Sequence, residues 1–481
     1  MEDLKITGTD LIELGIAPGR AIGVLLNVID TQFGTLDSDE IKSLLVDLIK
    51  SPENYLHHVN FHEVAALLVP TNEILPHEEV VDYHKNIKAD SDSEISNVES
   101  VFNTMDVLMK TPTVVAGAVM PDACPAGPIG TIPVGGVVVT KNSIIPGMHS
   151  ADICCSLMLT NIGKIDPKLV LDLAESVTHF GPGGRGVNNK FILSDDIMDE
   201  IKLNSFLNSE KSIMLSKSHL GTQGASNHFL YVGTSKKTGD TVIVTHHGSR
   251  GFGALLYKNG MIIAEKFRKK ISPKTIKTNA WIPYDTDEGK EYWNALQIVR
   301  KWTKQNHSCI HDEICKLIGV EIKDRFWNEH NFVFKVDDLF YHAKGATPMD
   351  IKFIESGPKI IPLNMSQPIL IVEKNKTTKN SLGFAPHGAG RNMSRSKHKS
   401  IKTKDKSIEE LLVEETRDID ARFYCGEIDI SELPSAYKNA EQVKESINEF
   451  NLADIVDEII PFGCIMSGDV EKNAPWRNKN K

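Results

Sequence analysis

The chain has 481 residues, of which 41% are hydrophobic, which is enough for one large core or two ordinary domains. It carries 54 Lys and Arg residues against 64 Asp and Glu residues, a formal net charge of −10. This balance excludes a protein that is held on nucleic acid by its overall charge. Any nucleic-acid site has to be a local basic patch within an acidic body.

The cysteine content and the apolar runs point to a cytoplasmic protein. The seven cysteines are odd in number and irregular in spacing, which does not suggest a disulfide framework. The N-terminal residues lack the basic start and apolar stretch of a signal peptide, and no apolar run is long enough to span a bilayer. We expect thiols that are free or bind a metal.

The first 110 residues are predicted to be mainly helical. Two short segments with helical periodicity are separated by Ala-Pro-Gly at 17–19, a sequence that breaks helices. From about residue 112, abundant Gly, Pro and β-branched residues predict short strands and tight turns. We therefore expect a helical extension over 1–110 and a mixed α and β domain over 111–481.

Later segments extend this prediction. Alternating or continuous apolar runs predict strands within 240–247, 331–336 and 367–374. A long amphipathic helix is predicted over 289–318, with Trp293, Leu296, Val299 and Trp302 on one face. We interpret that stripe as core packing rather than as a surface on which bases stack.

The most basic segment spans 391–406 and holds seven Lys and Arg residues against one acid. Such a run is either a solvated face or a contact for RNA phosphates, and the sequence leaves both open. An acidic stretch follows from about 408 to 460 and is expected to be partly helical.

Several Gly-rich turns carry histidine, cysteine or aspartate, and they lie at 150–155, 226–228, 246–250, 329–331 and 386–391. Asp152 and Cys155 are three residues apart and can face one ion from a single turn. Thiolate, imidazole and carboxylate together suit a divalent transition metal, zinc as much as manganese. The wide separation of these turns favours a catalytic site assembled by the fold over a compact zinc finger. Any one of these residues alone is more often structural.

The order and the residues of these motifs resemble those of the RtcB family of RNA ligases. Residues 121–124 are similar to the Pro-Asp-x-His opening of that family, and the segment ending at Asp152 and Cys155 is similar to its Gly-x-Asp-x-x-Cys motif. Further matches lie at 220–229, 246–253, 329–333, 344–346 and 387–395. The resemblance runs from about 112 to 400, with a looser tail to about 468.

The resemblance implies an α+β catalytic domain of layered mixed sheets with helices, and it implies a role for each matched residue. Two manganese ions would share Cys155, with Asp152 and His228 on one ion and His246 and His330 on the other. His387 would be the nucleophile. The implied nucleotide-binding residues are Asn227, Asn331, Pro362, Asn364, Met365, His387, Gly388 and Gly390. The implied contacts to RNA phosphates or the triphosphate are Arg250, Lys344, Arg391 and Arg395.

The activity implied by the resemblance is the joining of RNA 3′-phosphate or 2′,3′-cyclic phosphate ends to 5′-hydroxyl ends, with GTP as co-substrate. His387 would carry GMP and pass it to the RNA 3′ end, and RNA repair is the expected setting. An archease-like activator is a possible partner in this family. Two alternatives are a metal-dependent phosphoesterase that opens cyclic phosphates and an RNA-end-binding protein that does not ligate. A retained nucleophile at His387 argues against the second.

The sequence departs from the family pattern in four places. Cys124 replaces the His after Pro-Asp, and Tyr231 stands where the family has a Glu that reads guanine. The nucleotide loop at 362–366 lacks two glycines, and Ser467 stands where the family ends in a Lys that contacts guanine. Three of the four changes fall on the nucleotide side, so we expect retained chemistry with altered recognition of the base.

Overall fold

A computed structural model describes residues 6–33, 36, 38–69, 73–89, 91–186, 189–376 and 379–469. The chain divides into two compact units, Met1–Glu73 and Ile74–Lys481. We call them the N-terminal unit and the large unit and describe each by itself. Within the described ranges, no helix is both long and apolar enough to cross a membrane.

The N-terminal unit contains four α-helices among its described residues. They are α1 (Gly8–Glu13), α2 (Arg20–Gln32), α3 (Ser38–Lys50) and α4 (His62–Leu68). Thr7 caps α1 and exchanges hydrogen bonds with Asp10, which satisfies N–H groups that the first turn leaves free. Leu11, Leu25 and Leu45 are fully buried in the core between the helices. Residues 1–73 hold 4 basic and 12 acidic residues, so 4 − 12 = −8 of the net charge of −10 lies here.

The large unit combines nine further described α-helices with all the described strands. The helices are α5 (Asp92–Leu108), α6 (Pro167–Val177), α7 (Asp195–Leu203), α8 (Glu210–Ser218), α9 (Arg250–Ile271), α10 (Asp287–Ile318), α11 (Arg395–Lys402), α12 (Ile408–Glu415) and α13 (Ala440–Glu449). The strands of the first half are β1 (Tyr83–Lys85), β2 (Val114–Cys124), β3 (Val134–Lys141), β4 (Ser143–Ile144), β5 (Ser156–Asn161), β6 (Phe229–Ser235), β7 (Thr241–His247) and β8 (Ile282–Pro283). The remaining strands are β9 (Asp324–Glu329), β10 (Asn331–Val336), β11 (Leu339–Lys344), β12 (Ala346–Pro348), β13 (Lys359–Ile361), β14 (Ile369–Glu373), β15 (Phe384–Pro386), β16 (Asp420–Phe423) and β17 (Asp454–Met466).

The N-terminal unit is shorter than the helical extension expected over 1–110. Residues 74–110 belong to the large unit because β1 pairs in parallel with β2. On α5, the side chains of Val101, Met105 and Leu108 are fully buried in a cluster that includes Val119 of β2. Removing these apolar surfaces from water joins α5 to the sheet that follows it.

Two larger sheets organise the large unit. One has five strands in the order β1-β2-β3-β11-β10. The other has eight strands, with seven in the order β13-β14-β17-β6-β7-β5-β9 and with β16 beside β17. Its two ends are joined by a side chain, because the amide of Asn328 in β9 accepts from the Ile360 N–H at 2.8 Å and donates to the Ile360 carbonyl at 3.3 Å. This nearly closed sheet carries the site described below.

The predicted strands and the long helix are confirmed. Strands β7, β10 and β14 lie within 240–247, 331–336 and 367–374, and α10 covers 287–318. Leu296, Val299 and Trp302 are fully buried, and Trp293 packs against the same core. The Trp302 indole N–H donates to the carbonyl of Ser216 at 2.8 Å. The stripe is therefore core, as interpreted from the sequence.

The basic segment 391–406 is largely neutralised by acidic residues that follow it in sequence, most of them in the acidic stretch at 408–460. The ion pairs are Arg391 and Arg395 with Glu432, Lys399 with Asp429 and Asp469, Lys402 with Glu415, and Lys406 with Glu414. Part of the segment forms α11, and Ser394 caps it by accepting from the Lys397 N–H. Most of its charge is thus paired with the protein itself.

Candidate metal centre and histidine site

The eight-stranded sheet brings the candidate metal ligands together at one end. Cys155 immediately precedes β5, His228 precedes β6, His246 lies near the end of β7, and His330 follows β9. These four strands are consecutive neighbours in the order β6-β7-β5-β9, and every adjacent pair is antiparallel. In antiparallel neighbours, the start of one strand lies beside the end of the next, at the same end of the sheet. Residues that are far apart in sequence therefore become adjacent.

The ligand atoms form two groups of three that share the Cys155 thiol. Cys155, His246 and His330 form one group, and Asp152, Cys155 and His228 form the other, with the ligand atoms of each within 4.8 Å of one another. Cys155 Sγ lies 3.1 Å from His246 Nε2 and 3.6 Å from His228 Nε2. His246 Nε2 lies 3.2 Å from His330 Nε2, and Asp152 Oδ2 lies 3.0 Å from His228 Nε2.

The electrostatics of this cluster fit divalent cations. Burial lowers the pKa of His246 to about 3 and that of His330 well below its usual range, so both imidazoles are neutral and can offer lone pairs. His246 Nδ1 lies 3.0 Å from the carbonyl of Asn227, and donation to that carbonyl leaves Nε2 free for a metal. Burial, with Asp152 close by, raises the pKa of the Cys155 thiol well above its usual value. Such a thiol ionises when a cation compensates the charge.

The backbone around the cluster is bent into unusual conformations. Cys154 has a φ of 58° and Ser150 a φ of 73°, both in the left-handed region that favours glycine. A Cβ at Gly248 would lie 2.0 Å from Asp152 Oδ1, so this glycine lets the chain after His247 pass close to the carboxylate.

His387 follows β15 and lies beside the cluster, with its ring centroid 4.8 Å from that of His330. Asp122, fully buried in β2, holds it in place. Asp122 Oδ2 lies 2.6 Å from His387 Nδ1 and accepts from the His387 backbone N–H at 3.1 Å. An Nδ1–H that donates to this carboxylate leaves Nε2 with the lone pair. Sequence reasoning missed the contact of Asp122, although Pro-Asp in the opening motif was the available signal.

An apolar pocket adjoins His387 on the side expected to hold the nucleotide base. Its volume is about 70 Å³, well below the range of about 300–1,000 Å³ for small-molecule sites. Five expected nucleotide-binding residues besides His387 line it: Asn227, Pro362, Asn364, Met365 and Gly388. Its other lining residues include Phe229, Tyr231, Ile369, Glu432, Tyr437, Cys464 and Met466.

Three polar side chains of this base pocket, those of Tyr231, Glu432 and Tyr437, are already engaged. The Tyr231 hydroxyl donates to the carbonyl of Ile459 at 2.8 Å, and burial raises the pKa of Tyr231 well above its usual value. The carboxylate of Glu432 is buried between Arg391 and Arg395 and also accepts from the Tyr437 hydroxyl. Sequence reasoning did not single out Glu432.

A second cavity of about 580 Å³ also opens onto His387. Arg391, Arg395, Gly390 and Cys124 are among its lining residues, and Asn227 lines both this cavity and the base pocket. Two of the four cations expected to bind phosphates therefore border open space beside the histidine. Cys124 contributes a small buried thiol where the resembling family has an imidazole, and this part of the wall is correspondingly reshaped.

Arg250, Lys344 and Asn331 make bonds within the protein and line neither cavity. The Arg250 guanidinium donates to Thr222 Oγ1 at 3.1 Å and to the Gly181 carbonyl at 2.6 Å. The Lys344 ammonium donates to the Ile132 carbonyl at 3.2 Å. Asn331 accepts from the Gly345 N–H at 2.7 Å and donates to the Asp152 carbonyl at 3.3 Å. These bonds hold the loops that carry the cluster.

The large unit is an α+β fold with a buried cluster of cysteine, histidine and aspartate at the end of a nearly closed sheet. A protein of this class can hold two divalent ions beside a fixed histidine. Residues 188–467 match the family model described as tRNA-splicing ligase RtcB, and the chain belongs to that family of RNA ligases.

Three archaeal relatives, each named tRNA-splicing ligase RtcB, match most of the chain. The Aeropyrum pernix protein is 27% identical over 69% of this chain and 84% of its own length. The Nanoarchaeum equitans protein is 26% identical over 69% of this chain and 85% of its own length. The Archaeoglobus fulgidus protein is 25% identical over 73% of this chain and 87% of its own length. This chain is a divergent member of the family.

Proposed function

We propose that this protein is a metal- and GTP-dependent RNA ligase that joins 3′-phosphate or 2′,3′-cyclic phosphate ends to 5′-hydroxyl ends, with a role in RNA repair. The observation that carries the proposal is the placement of His387. Its Nδ1 is engaged by Asp122, and its ring lies 4.8 Å from that of His330 in the ligand cluster. A protein that only bound RNA ends would have no use for a nucleophile fixed in this way.

Asp152, His228 and Cys155 would hold one divalent ion, and Cys155, His246 and His330 would hold a second. When bound, the ions would neutralise charge that develops on phosphate oxygens. The cluster supplies a carboxylate, a thiol and three imidazoles, which suits manganese or zinc, and the family resemblance favours manganese.

In the proposed first step, His387 Nε2 attacks the α-phosphorus of GTP. An N–P bond forms, the bond to the β-phosphate oxygen breaks, and pyrophosphate leaves. Asp122 keeps the proton on Nδ1 and stabilises the positive charge that develops on the ring. In this proposal, the buried carboxylate of Asp122 activates His387.

In the proposed later steps, water opens any cyclic phosphate to a 3′-phosphate. An oxygen of that phosphate attacks the GMP phosphorus and releases the histidine. The 5′-hydroxyl of the second RNA then attacks the activated 3′-phosphate, forms the phosphodiester bond and releases GMP. Arg391 and Arg395 border the cavity beside His387, and since both pair with Glu432, the proposed contacts to RNA phosphates would use the guanidinium N–H groups that Glu432 does not occupy.

The test is covalent labelling. The purified protein is incubated with Mn²⁺ and each α-labelled nucleoside triphosphate, and an acid-labile label is expected on the wild type and not on His387→Ala. RNA with a 2′,3′-cyclic phosphate and a 5′-hydroxyl should then be joined. Asp152→Ala and Cys155→Ala should each abolish labelling and joining, and unchanged activity in either would contradict the proposed ligand set.

A second candidate function is a phosphoesterase that opens cyclic phosphates with the metals alone. The small volume and apolar lining of the base pocket favour it, because such a reaction needs no nucleotide. Opening of the cyclic phosphate without any nucleotide label would support this function. Binding of RNA ends with neither reaction would leave only an end-binding role.

A further inference from the structure

A basic groove lies on the large unit between α10, strand β9 and the loop at 351–359, and we call it the α10 groove. Its volume is about 930 Å³, larger than either cavity at His387. Its lining includes six cationic side chains: Arg300, Lys301, Lys304, Arg325, Lys352 and Lys359. Only Asp324 and Glu355 among the lining residues are acidic. A local excess of positive charge on a chain of net charge −10 marks a site for an anion.

Three of the six cations are neutralised by carboxylates outside the groove lining. The pairs are Arg300 with Glu329, Lys301 with Glu200, and Arg325 with Asp312. Over the described residues, Lys304, Lys352 and Lys359 form no ion pair with a carboxylate within 4.0 Å. Lys359 donates only to the carbonyls of Glu355 and Gly357, at 3.0 and 2.8 Å. Lys359 is also buried, whereas Lys304 and Lys352 are exposed, so the ammonium groups of Lys304 and Lys352 are the ones that a ligand could pair with.

Two buried N–H groups in the lining have no acceptor among the described residues. They are Trp327 Nε1 and Gln297 Nε2. A buried donor without an acceptor costs about 1–3 kcal/mol, so each calls for an oxygen from a ligand or a water. The Lys304 ammonium lies 5.7 Å from the centroid of the Trp327 ring, so a cation and an unsatisfied donor belong to the same part of the groove. An oxyanion there would satisfy both together.

The groove is close to the candidate metal centre along the chain. Strand β9 runs from Asp324 to Glu329, and His330 follows directly. At about 3.4 Å per residue, Trp327 lies about 10 Å from His330 along the strand. A polymer bound near His387 could therefore extend into the groove.

We propose that the α10 groove binds the phosphate backbone of a single-stranded segment of the RNA substrate, away from the ends that are joined. This rests on the proposed ligase function. A phosphodiester carries one charge per nucleotide, and its oxygens only accept hydrogen bonds, which matches a groove of lysines and unpartnered donors. An acidic peptide would match the lysines but would bring N–H donors of its own into a groove that already has unsatisfied donors.

The experiment compares RNA affinity over a range of salt concentrations, with a fluorescent single-stranded RNA of about 30 nucleotides, long enough to exceed one binding site. The variants are the wild type, Lys304→Gln with Lys352→Gln, and Trp327→Phe, which keeps an aromatic ring and removes the N–H. Both lysines are exposed, so folding is expected to be intact. The control is Lys266→Gln with Lys270→Gln, two exposed residues about 24 and 30 Å along α9 from Arg250.

The lysine pair variant should bind the RNA about tenfold more weakly, with a slope of log affinity against log salt reduced by about 1.4, the value for two lost phosphate contacts on a single strand. Trp327→Phe should weaken binding a few-fold without changing that slope. The proposal would be overturned if the lysine pair variant bound RNA as tightly as the wild type, or if the Lys266/Lys270 control lost as much affinity. It would also be overturned if polyglutamate displaced the RNA as effectively as unlabelled RNA does.

Nucleotide labelling of His387 is measured on the same preparations and separates this proposal from the proposed function. The groove variants should label like the wild type. A wild type that binds RNA through the groove but never acquires a label would contradict the ligase mechanism and leave the groove in place. A wild type that labels His387 but binds RNA independently of the groove would contradict the groove alone.

Discussion

Asp122 Oδ2 lies 2.6 Å from His387 Nδ1 and 3.1 Å from the His387 backbone nitrogen. One carboxylate oxygen thus fixes both the ring and the main chain of the candidate nucleophile. Asp122 is fully buried in β2, in a different sheet from the strands that carry the metal ligands. The site therefore depends on how the two larger sheets pack together, and not only on the end of the eight-stranded sheet.

Asp122→Asn should slow nucleotide labelling of His387 by about 10²-fold or more, because an amide can hold the ring in the wrong tautomer and cannot stabilise its positive charge. The rate of formation of the acid-labile label measures this. The free energy of unfolding should change much less than it does in Asp122→Ala, which leaves the histidine without a partner. A labelling rate equal to that of the wild type would show that Asp122 does not activate His387.

Divalent ions should raise the melting temperature of the wild type, because a ligand that binds only the folded state stabilises it. Cys155→Ala removes the ligand common to both groups and should abolish the Mn²⁺-dependent increase. Asp152→Ala should retain part of it, since Cys155, His246 and His330 stay in place.

The matched control for the metal prediction is the neighbouring cysteine. Cys154→Gly suits the φ of 58° at that position and removes no proposed ligand, so two ions should still bind. Loss of metal binding in Cys154→Gly together with full binding in Cys155→Ala would reverse the assignment of the two thiols. Metal content per protein after dialysis gives the stoichiometry directly.

Labelling by GTP should exceed labelling by ATP by no more than about tenfold, since strong discrimination requires polar groups that pair with one base and are left unpaired by another. Among the described lining residues of the base pocket, the Tyr231 hydroxyl is engaged by Ile459 and the Glu432 carboxylate by two arginines and Tyr437. Competition between labelled GTP and each unlabelled triphosphate measures the preference. A preference for GTP of more than about a hundredfold would require a guanine contact that these residues do not offer.

The stability of the protein should depend on pH through Lys344. Burial lowers the pKa of Lys344 to about 8 from 10.5, so between these values the unfolded chain binds a proton that the folded chain does not. The free energy of unfolding should therefore rise with pH across this window, by about 2–3 kcal/mol relative to Lys344→Met. Below pH 8 the buried lysine destabilises the folded state to its full extent, and this effect is lost as the pH rises towards 10.5. Denaturant unfolding of both proteins at pH 7.5, 9 and 10.5 measures the difference. A constant difference between them would indicate that Lys344 keeps its ordinary pKa.

The structure brings the five predicted ligand residues together, because each lies at or next to the end of an apolar strand or in the turn beside it, and these features are local in the sequence. Strand β7 and helix α10 were predictable for the same reason. The partner of His387 was not, because Asp122 lies 265 residues away and only the packing of β2 reveals it. Likewise, the pairing of the basic segment with Glu432, Asp429 and Glu415 depends on long-range placement that composition cannot show. The boundary between the units lies after residue 73 and not, as expected from the sequence, after residue 110. The short parallel strand β1 has too little periodicity to be recognised in the sequence.

The side chain of Asn328 joins β9 to β13 where a full ladder of main-chain bonds would otherwise close the sheet. One amide group gives this seam far less protection against local opening than a continuous ladder would. Amide hydrogens of β13 should consequently exchange with solvent earlier than those of β6 and β7 in the middle of the sheet. The strand at the other side of the seam leads into His330, so transient opening there would loosen one metal ligand while His228 and His246 stay anchored.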